Sequence, residues 1–275
     1  MIKKIFFTFV PGFERLPIFF TLMLICFGAL DPVYADGNFF AGLNPDTIVP
    51  ARKVIALTFD DGPGATTEEV LNLLRKYRAR ATFFVLGCNV ATNSVILKKI
   101  YSDGHEIGNH TYGHINFYTY KKPDRAELMR GEILKTDALI KSAGVVNPAR
   151  LLRMPYGYNA SWSRVLAGEM GYVMVNWSFG CDWMGKSEEE TVRLYLENVR
   201  PGGILLFHDG GKKLRVKTLK ALEAVLEKLS KENYGIVTAG DLMKLGLSLK
   251  SEVKDGDVSG AVRNMPREGV EPSSR

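Results

Sequence analysis

The fold is decided by the stretch Val54-Ile55-Ala56-Leu57-Thr58-Phe59-Asp60-Asp61-Gly62-Pro63, an apolar strand followed at once by two carboxylates and a turn. A continuous apolar run of this length is typical of a strand buried on both faces, as in a parallel sheet. In parallel α/β architectures the carboxyl ends of the strands carry the active site. Adjacent acids at that position suit a metal and a reacting water, although Asp-Asp-Gly-Pro also forms an ordinary turn.

On either side of this stretch, short β-rich runs alternate with amphipathic segments over residues 53–245. This alternation is typical of a largely parallel sheet wrapped by helices. It predicts seven strands, at 54–59, 82–86, 106–109, 151–154, 172–177, 203–207 and 235–237. The chain is therefore predicted to be an α/β domain with a number of strands close to that of a barrel.

Three helices are predicted from apolar residues at helical spacing. The first begins at Thr66, which forms a capping-box pattern with Glu69. The second runs from about Asp124 to Gly144, and the third ends near Lys231.

The composition excludes several classes of protein. A chain of 275 residues with 46% hydrophobic and 24% charged content is neither disordered, collagenous nor of low complexity. Its net charge of +6, from 36 basic and 30 acidic residues, is not concentrated in a run of like charges, so a nucleic acid partner is not predicted. The 3 cysteines lack CxxC spacing, so any metal must be held by histidines and carboxylates.

Residues 1–35 are predicted to be a signal peptide. Lys3 and Lys4 precede an apolar run over 16–30, and Val33 and Ala35 are small residues suited to a cleavage site. An uncleaved anchor is the alternative, because residues 6–10 extend the apolar segment. The protein is therefore expected to be exported, as a periplasmic, secreted or envelope-associated protein, and to meet a membrane only if this segment is retained.

The other end of the chain, residues 248–275, lacks periodicity and contains Pro266 and Pro272, so a disordered tail is predicted. An oxidising compartment leaves open a disulfide between Cys88 and Cys181. The sequence does not indicate an oligomeric state.

The histidines form a second set of candidate site residues. His110 and His114 are four residues apart, the spacing of one helical turn, so both imidazoles can converge on one ion. The alternative is a pair of surface histidines. Of the 4 histidines in the chain, His208 also follows an apolar run, whereas His105 precedes its strand and is predicted to be structural.

Five motifs, in order, resemble those of NodB-type polysaccharide deacetylases (carbohydrate esterase family four). They are Thr58-Phe59-Asp60-Asp61-Gly62, His110-Thr111-Tyr112-Gly113-His114, Arg153-Met154-Pro155-Tyr156-Gly157, Asp182-Trp183 and Leu205-Leu206-Phe207-His208-Asp209. The resemblance covers residues 49–245 and implies a distorted, incomplete (β/α) barrel. It also implies a divalent metal, usually zinc, held by Asp61, His110 and His114.

The resemblance further implies catalytic roles. Asp60 is implied to be the general base that deprotonates a water activated by the metal, which also polarises the acetamide carbonyl. Arg153 is implied to orient that base. His208 is implied to be the general acid that protonates the leaving amine, with Asp182 as its carboxylate partner.

Substrate contacts are implied at three further positions. The backbone N–H of Tyr156 would stabilise the oxyanion. Trp183 and Leu206 would line an apolar groove for the acetyl methyl group, although a plain core role for Leu206 is an equal alternative. The chain departs from the family at Phe179, where an additional aspartate is common.

The implied function is that of an exported, metal-dependent hydrolase that removes N-acetyl groups from N-acetylglucosamine units of peptidoglycan or a chitin-type glycan. One alternative is an O-acetyl esterase acting on xylan, because the same chemistry cleaves esters. Another is a catalytically inactive carbohydrate-binding module. The joint presence of Asp60, His208 and the three ligand positions argues against this last alternative.

Overall fold

The computed structural model of the protein describes residues 53–253. Within this range, parallel strands form one sheet and helices pack around it. The predicted signal peptide lies outside the described residues. None of the helices within 53–253 is long and apolar enough to cross a bilayer.

All seven predicted strands are present. They are β1 Val54–Asp60, β2 Thr82–Val85, β3 Glu106–Asn109, β4 Leu151–Leu152, β5 Val173–Met174, β6 Ile204–His208 and β7 Gly235–Val237. β4 and β5 are shorter than predicted. β4 ends before Arg153, whose side chain is buried in the interior. β5 ends before Val175 and Asn176, whose carbonyl oxygens accept hydrogen bonds from that side chain.

The helices surround this sheet. They are α1 Thr67–Lys76, α2 Gly87–Thr92, α3 Ser94–Ser102, α4 Arg125–Ser142, α5 Ser161–Glu169, α6 Glu188–Glu197, α7 Val216–Lys231 and α8 Ala239–Val253. The three predicted helices correspond to α1, α4 and α7.

The sheet has the strand order β5-β4-β3-β2-β1-β6, and β7 also pairs with β1. Every pair is parallel. The two ends of the sheet approach each other, since Phe179, beyond β5, forms an isolated bridge with Leu205 of β6. The sheet is thus curled and left partly open, which confirms the predicted distorted, incomplete barrel.

Both faces of β1 are buried, and they differ in chemistry. The outer face contributes Ile55, Leu57 and Phe59 to a large cluster with apolar residues of α1 and α7. The inner face begins with Val54 and Ala56, which cluster with Leu242 of α8, and continues with Thr58 and Asp60. The interior is therefore apolar at the amino end of β1 and polar at its carboxyl end, where the candidate site lies.

The capping box predicted at Thr66 is wrong. Its side chain does not cap α1, because this buried hydroxyl accepts a tertiary hydrogen bond from the backbone N–H of Arg215 at 2.9 Å. A capping contact forms instead at α6, where the Ser187 hydroxyl accepts the N–H of Glu190 at 3.1 Å.

The predicted disordered tail is wrong over 248–253, where α8 continues to Val253. This stretch contains Leu, Lys and Glu, which favour continuation of a helix already begun at Ala239. Residues 254–275 lie outside the described range. Cys88 and Cys181 are both free thiols, so the disulfide left open by the sequence is absent.

Candidate active site

Asp61, His110 and His114 bring three potential metal ligands together at the carboxyl edge of the sheet. One ligand atom from each lies within 4.8 Å of the others. The Oδ1 of Asp61 is 3.4 Å from the Nε2 of each histidine. Asp61 directly follows β1 and His110 directly follows β3, the two strands that flank β2. The carboxyl ends of these two strands therefore bring together the cluster that the sequence predicts.

The two histidines converge without a helix. The predicted helical turn is absent, because residues 110–114 form a loop. Thr111 and His114 adopt positive φ angles of 69° and 55°, and Asp61 has a φ of 70°. Such conformations are uncommon outside glycine and concentrate at functional sites, where surrounding contacts hold them in place.

Hydrogen bonds from outside the motif hold this loop. The Glu132 carboxylate on α4 accepts the backbone N–H groups of Tyr112 at 3.1 Å and Gly113 at 2.6 Å. The Asn109 side-chain oxygen accepts the N–H of Thr111 at 2.8 Å. Sequence reasoning missed Glu132, since nothing in the pattern of α4 distinguishes it from its solvent-exposed acids.

The chemistry of the cluster fits a divalent cation. The Nδ1 of His110 lies 2.6 Å from the carbonyl oxygen of Arg153, so it carries the ring proton and leaves the Nε2 lone pair available. The Oδ1 of Asp61 is buried and has no hydrogen-bond partner among the described residues. Burial raises the pKa of Asp61, but the contacts with His110 and His114 lower it by a larger amount. The pKa therefore lies below its ordinary value, and the carboxylate is ionised.

Arg153 is fully buried and holds Asp60 in place. It donates at 2.8 Å to the Oδ1 of Asp60 and to the hydroxyl of Thr58. It also donates to the carbonyl oxygens of Val175 and Asn176 at 3.0 Å each. The second oxygen of Asp60 faces the metal cluster, 3.8 Å from the nearest histidine Nε2.

His208 lies directly opposite Asp60 in the register of β1 and β6. Its Nδ1 is 2.8 Å from the Oδ1 of Asp182, whose other oxygen accepts the backbone N–H of His208 and the hydroxyl of Thr218. Burial lowers the pKa of His208, but the hydrogen bond and charge of Asp182 outweigh it, so the pKa lies above its ordinary value. This dyad corresponds to the predicted pair.

Aromatic side chains stand beside these groups. Tyr156 is 57% exposed, has a φ of 59° and places its ring 4.7 Å from that of His114. Trp183 is 46% exposed, with its ring 5.0 Å from that of His208. Leu206 lies two residues below His208 on the same face of β6 but is only 1% exposed, so the structure places it in the interior.

Three other residues considered from the sequence lie outside the metal cluster. Phe179, which replaces the family's additional aspartate, packs edge-on against Tyr195 in the hydrophobic core at 5.3 Å. Cys181 is buried outside the metal cluster, and burial raises the pKa of its thiol to about 11. The Nδ1 of His105 accepts the N–H of Ala81 at 3.2 Å, which confirms its structural role.

Asp209, to which the sequence assigned no role, supports the turn after β1. It is fully buried, and its Oδ2 accepts the hydroxyl of Thr67 at 2.5 Å. A Cβ at Gly62 would lie 2.4 Å from the same oxygen, so only glycine fits there. Burial raises the pKa of Asp209 to about 7.

The chain is similar to known proteins in sequence and in fold. A polysaccharide deacetylase family model matches residues 48–175. A peptidoglycan-N-acetylglucosamine deacetylase of Bacillus cereus is 38% identical over 197 residues, covering 70% of this chain and 89% of the relative. A chitooligosaccharide deacetylase of a Bradyrhizobium species is 32% identical over 200 residues, covering 68% and 90%. A crystal structure of a peptidoglycan N-acetylglucosamine deacetylase matches with a TM-score of 0.64 at 31% identity, covering 70% of this chain and 88% of that chain.

The cluster predicts that His114→Ala abolishes stable metal binding, because two ligands remain where a site of this kind needs three. Zinc content after dialysis, measured by mass spectrometry, should fall far below one ion per chain. Asp60→Asn is the matched control and should retain the ion, since Asp60 lies outside the ligand set. Equal zinc in wild-type protein and His114→Ala would refute the assignment.

The buried ion pair predicts that Arg153→Met lowers the free energy of unfolding by ~3–5 kcal/mol, because it leaves the Asp60 carboxylate uncompensated. Adding Asp60→Asn to that variant should recover part of the loss. Urea unfolding measures both effects. The control is Arg193→Met, which breaks an exposed pair with Glu197 and should change stability by less than about 1 kcal/mol. Similar losses in the two arginine variants would contradict this account.

Proposed function

The chain belongs to the polysaccharide deacetylase family, and on that premise we propose that it removes acetyl groups from N-acetylglucosamine units of peptidoglycan with the help of a divalent metal. One observation carries the proposal: Asp60 and His208 face each other on neighbouring strands beside the cluster of Asp61, His110 and His114. A base, an acid and a metal site are thus adjacent.

The three clustered residues would hold the metal. One carboxylate and two imidazoles form a ligand set that zinc accepts with a position left open. Burial and the charge of His110 lower the pKa of His114, which keeps this imidazole in the neutral form that binds metals. When bound, the ion supplies a Lewis acid that polarises the acetamide carbonyl and lowers the pKa of water.

Asp60 acts as the general base in this proposal. Its Oδ1 is occupied by Arg153, so the Oδ2 that faces the cluster is the oxygen available to take a proton from the attacking water. The water oxygen forms the new bond to the acetyl carbon. The backbone N–H of Tyr156 stabilises the negative charge that develops on the carbonyl oxygen.

His208 acts as the general acid. Because its Nδ1–H is directed to Asp182, the Nε2 is the atom that donates to the amide nitrogen as the carbon–nitrogen bond breaks. The products are acetate and a glucosamine unit with a free amine. Asp182 stabilises the imidazolium form that precedes this transfer, as the raised pKa of His208 indicates.

The substrate would lie between the exposed rings of Tyr156 and Trp183. Aromatic faces pack well on the apolar faces of sugar rings, and these two exposed rings stand beside His114 and His208 respectively. Trp183 would contact the acetyl methyl group, with Leu206 beneath it. The names of the B. cereus relative and the matched structure favour peptidoglycan, and the Bradyrhizobium relative favours chitooligosaccharides as the second substrate.

An action on peptidoglycan requires a location outside the cytoplasm. Residues 1–35 have the charged start, apolar run and small residues that export needs. We propose that the protein is delivered to the envelope or secreted by this segment.

The proposal is tested by acetate release from peptidoglycan, chitooligosaccharides and acetylxylan in parallel. Wild-type protein should release acetate from peptidoglycan, lose activity to a chelator and regain it with zinc. Asp60→Asn should be slower by roughly 10²–10⁴-fold while retaining its metal. Full activity in Asp60→Asn would refute the mechanism. Acetate release from acetylxylan alone would reassign the protein as an esterase.

The acid role of His208 predicts a pH shift in Asp182→Asn. His208 must be protonated to donate, so activity falls as pH rises through its pKa. Removing the charge of Asp182 lowers that pKa, and the alkaline limb of the kcat profile should move to lower pH. An unmoved alkaline limb in an active variant would exclude His208 as the group that titrates there.

A further inference from the structure

A second cavity lies at the amino edge of the sheet, at the opposite ends of the strands from the catalytic residues. Its volume is about 270 Å³ and its lining consists of Arg75, Arg78, Ala79, Arg80, Asp103 and His105. Arg80 precedes β2 and His105 precedes β3, whereas the metal cluster follows those strands. A strand of 4 residues separates the two edges, a distance of roughly 13 Å.

His105 contributes a hydrogen-bond donor to this cavity. Its Nδ1 accepts the backbone N–H of Ala81, so the ring proton must lie on Nε2. The side chain is only 7% exposed, and none of the described protein groups accepts that Nε2 proton. Burial and the charges of Arg75 and Arg80 lower the pKa of His105 to about 4, so the ring is a neutral donor at pH 7.

The lining carries more positive than negative charge. Arg75 pairs with Asp103 at 2.8 Å, and Arg80 pairs with Asp241 at 3.3 Å. The guanidinium of Arg78 has no ion-pair or hydrogen-bond partner within the part of the chain that the structure describes. The cavity therefore combines one unpaired guanidinium, two paired ones and the imidazole N–H.

Arg78 occupies a position where glycine is the favoured residue. It follows the last turn of α1 with a φ of 51°, and its N–H bonds to the carbonyl of Arg75. A helix ends most easily here with glycine, because a side chain is strained at positive φ. Arg78 adopts this strained conformation, and its guanidinium lines the cavity.

We propose that this cavity binds a phosphate group. Guanidinium groups present paired N–H donors that match the oxygens of phosphate, and an unpaired one is free to do so. The imidazole N–H of His105 supplies a donor at the buried end, while Arg75 and Arg80 complete the positive lining. The metal cluster is at the other edge of the sheet, so the site is separate from the catalytic groups.

Arg78→Gly tests the proposal without weakening the fold. The substitution removes the unpaired guanidinium and relieves the positive φ, so thermal stability should stay equal or rise. Binding of inorganic phosphate, measured by isothermal titration at constant ionic strength, should weaken at least roughly tenfold, the loss expected for a charged hydrogen bond. Lys76→Gln is the control, because it removes the same charge from α1 outside the cavity.

Vesicles of phosphatidylglycerol and phosphatidylcholine, in a sedimentation assay with the full chain, identify the source of the phosphate. Sedimentation with phosphatidylglycerol that is lost in Arg78→Gly assigns the site to a lipid headgroup. Phosphate binding that is lost in Arg78→Gly, without such sedimentation, assigns it to a soluble phosphate group. Equal phosphate affinity in wild-type protein, Arg78→Gly and Lys76→Gln would overturn the proposal.

Discussion

The buried guanidinium of Arg153 is the interaction on which the barrel and its catalytic edge both depend. An arginine without solvent exposure is tolerated only if its charge and its donors are satisfied inside the protein. Arg153 meets this demand with Thr58 and Asp60 of β1 and with two carbonyl oxygens beyond β5. It thus links β1 to the segment after β5, two parts of the sheet that are not neighbours, through polar contacts inside the barrel.

The interior of the barrel differs in polarity between the two ends of the strands. Residues of α8 pack against Val54 and Ala56 and make the amino end apolar. Two residues further along β1, the inner face becomes polar at Thr58 and then carries the carboxyl group of Asp60. The carboxyl end can hold charges because Arg153 pairs with Asp60 and His208 pairs with Asp182. The location of the site therefore follows from how the barrel is filled, as well as from the loops above it.

Much of this was available from the sequence, and the failures have physical reasons. Apolar runs predicted all seven strands, and the spacing of His110 and His114 pointed to a pair of converging imidazoles. The pairing of Asp60 with Arg153 and of His208 with Asp182 was implied by the resemblance to a known family. Local rules failed where a tertiary partner competed, as at Thr66, whose hydroxyl bonds to Arg215 instead of capping α1. Hydrogen bonds from distant elements could not be predicted either. Glu132 of α4 accepts backbone N–H groups of the loop over residues 110–114, and every sequence offers such groups. A serine followed three residues later by a glutamate, as at Ser187 and Glu190, is a recognisable helix start, and the sequence prediction did not use it.

The direct pairing of Asp60 with His208 in the β1–β6 ladder has a consequence for how such a scaffold changes. Adjacent strands are held about 4.8 Å apart by their backbone hydrogen bonds, whatever side chains they carry. The distance between the backbones of the proposed base and the proposed acid is therefore a property of the ladder, and insertions in the surrounding loops leave it unaltered. Tyr156 and Trp183 lie outside the strands, so the segments that carry them can change in sequence without altering that distance.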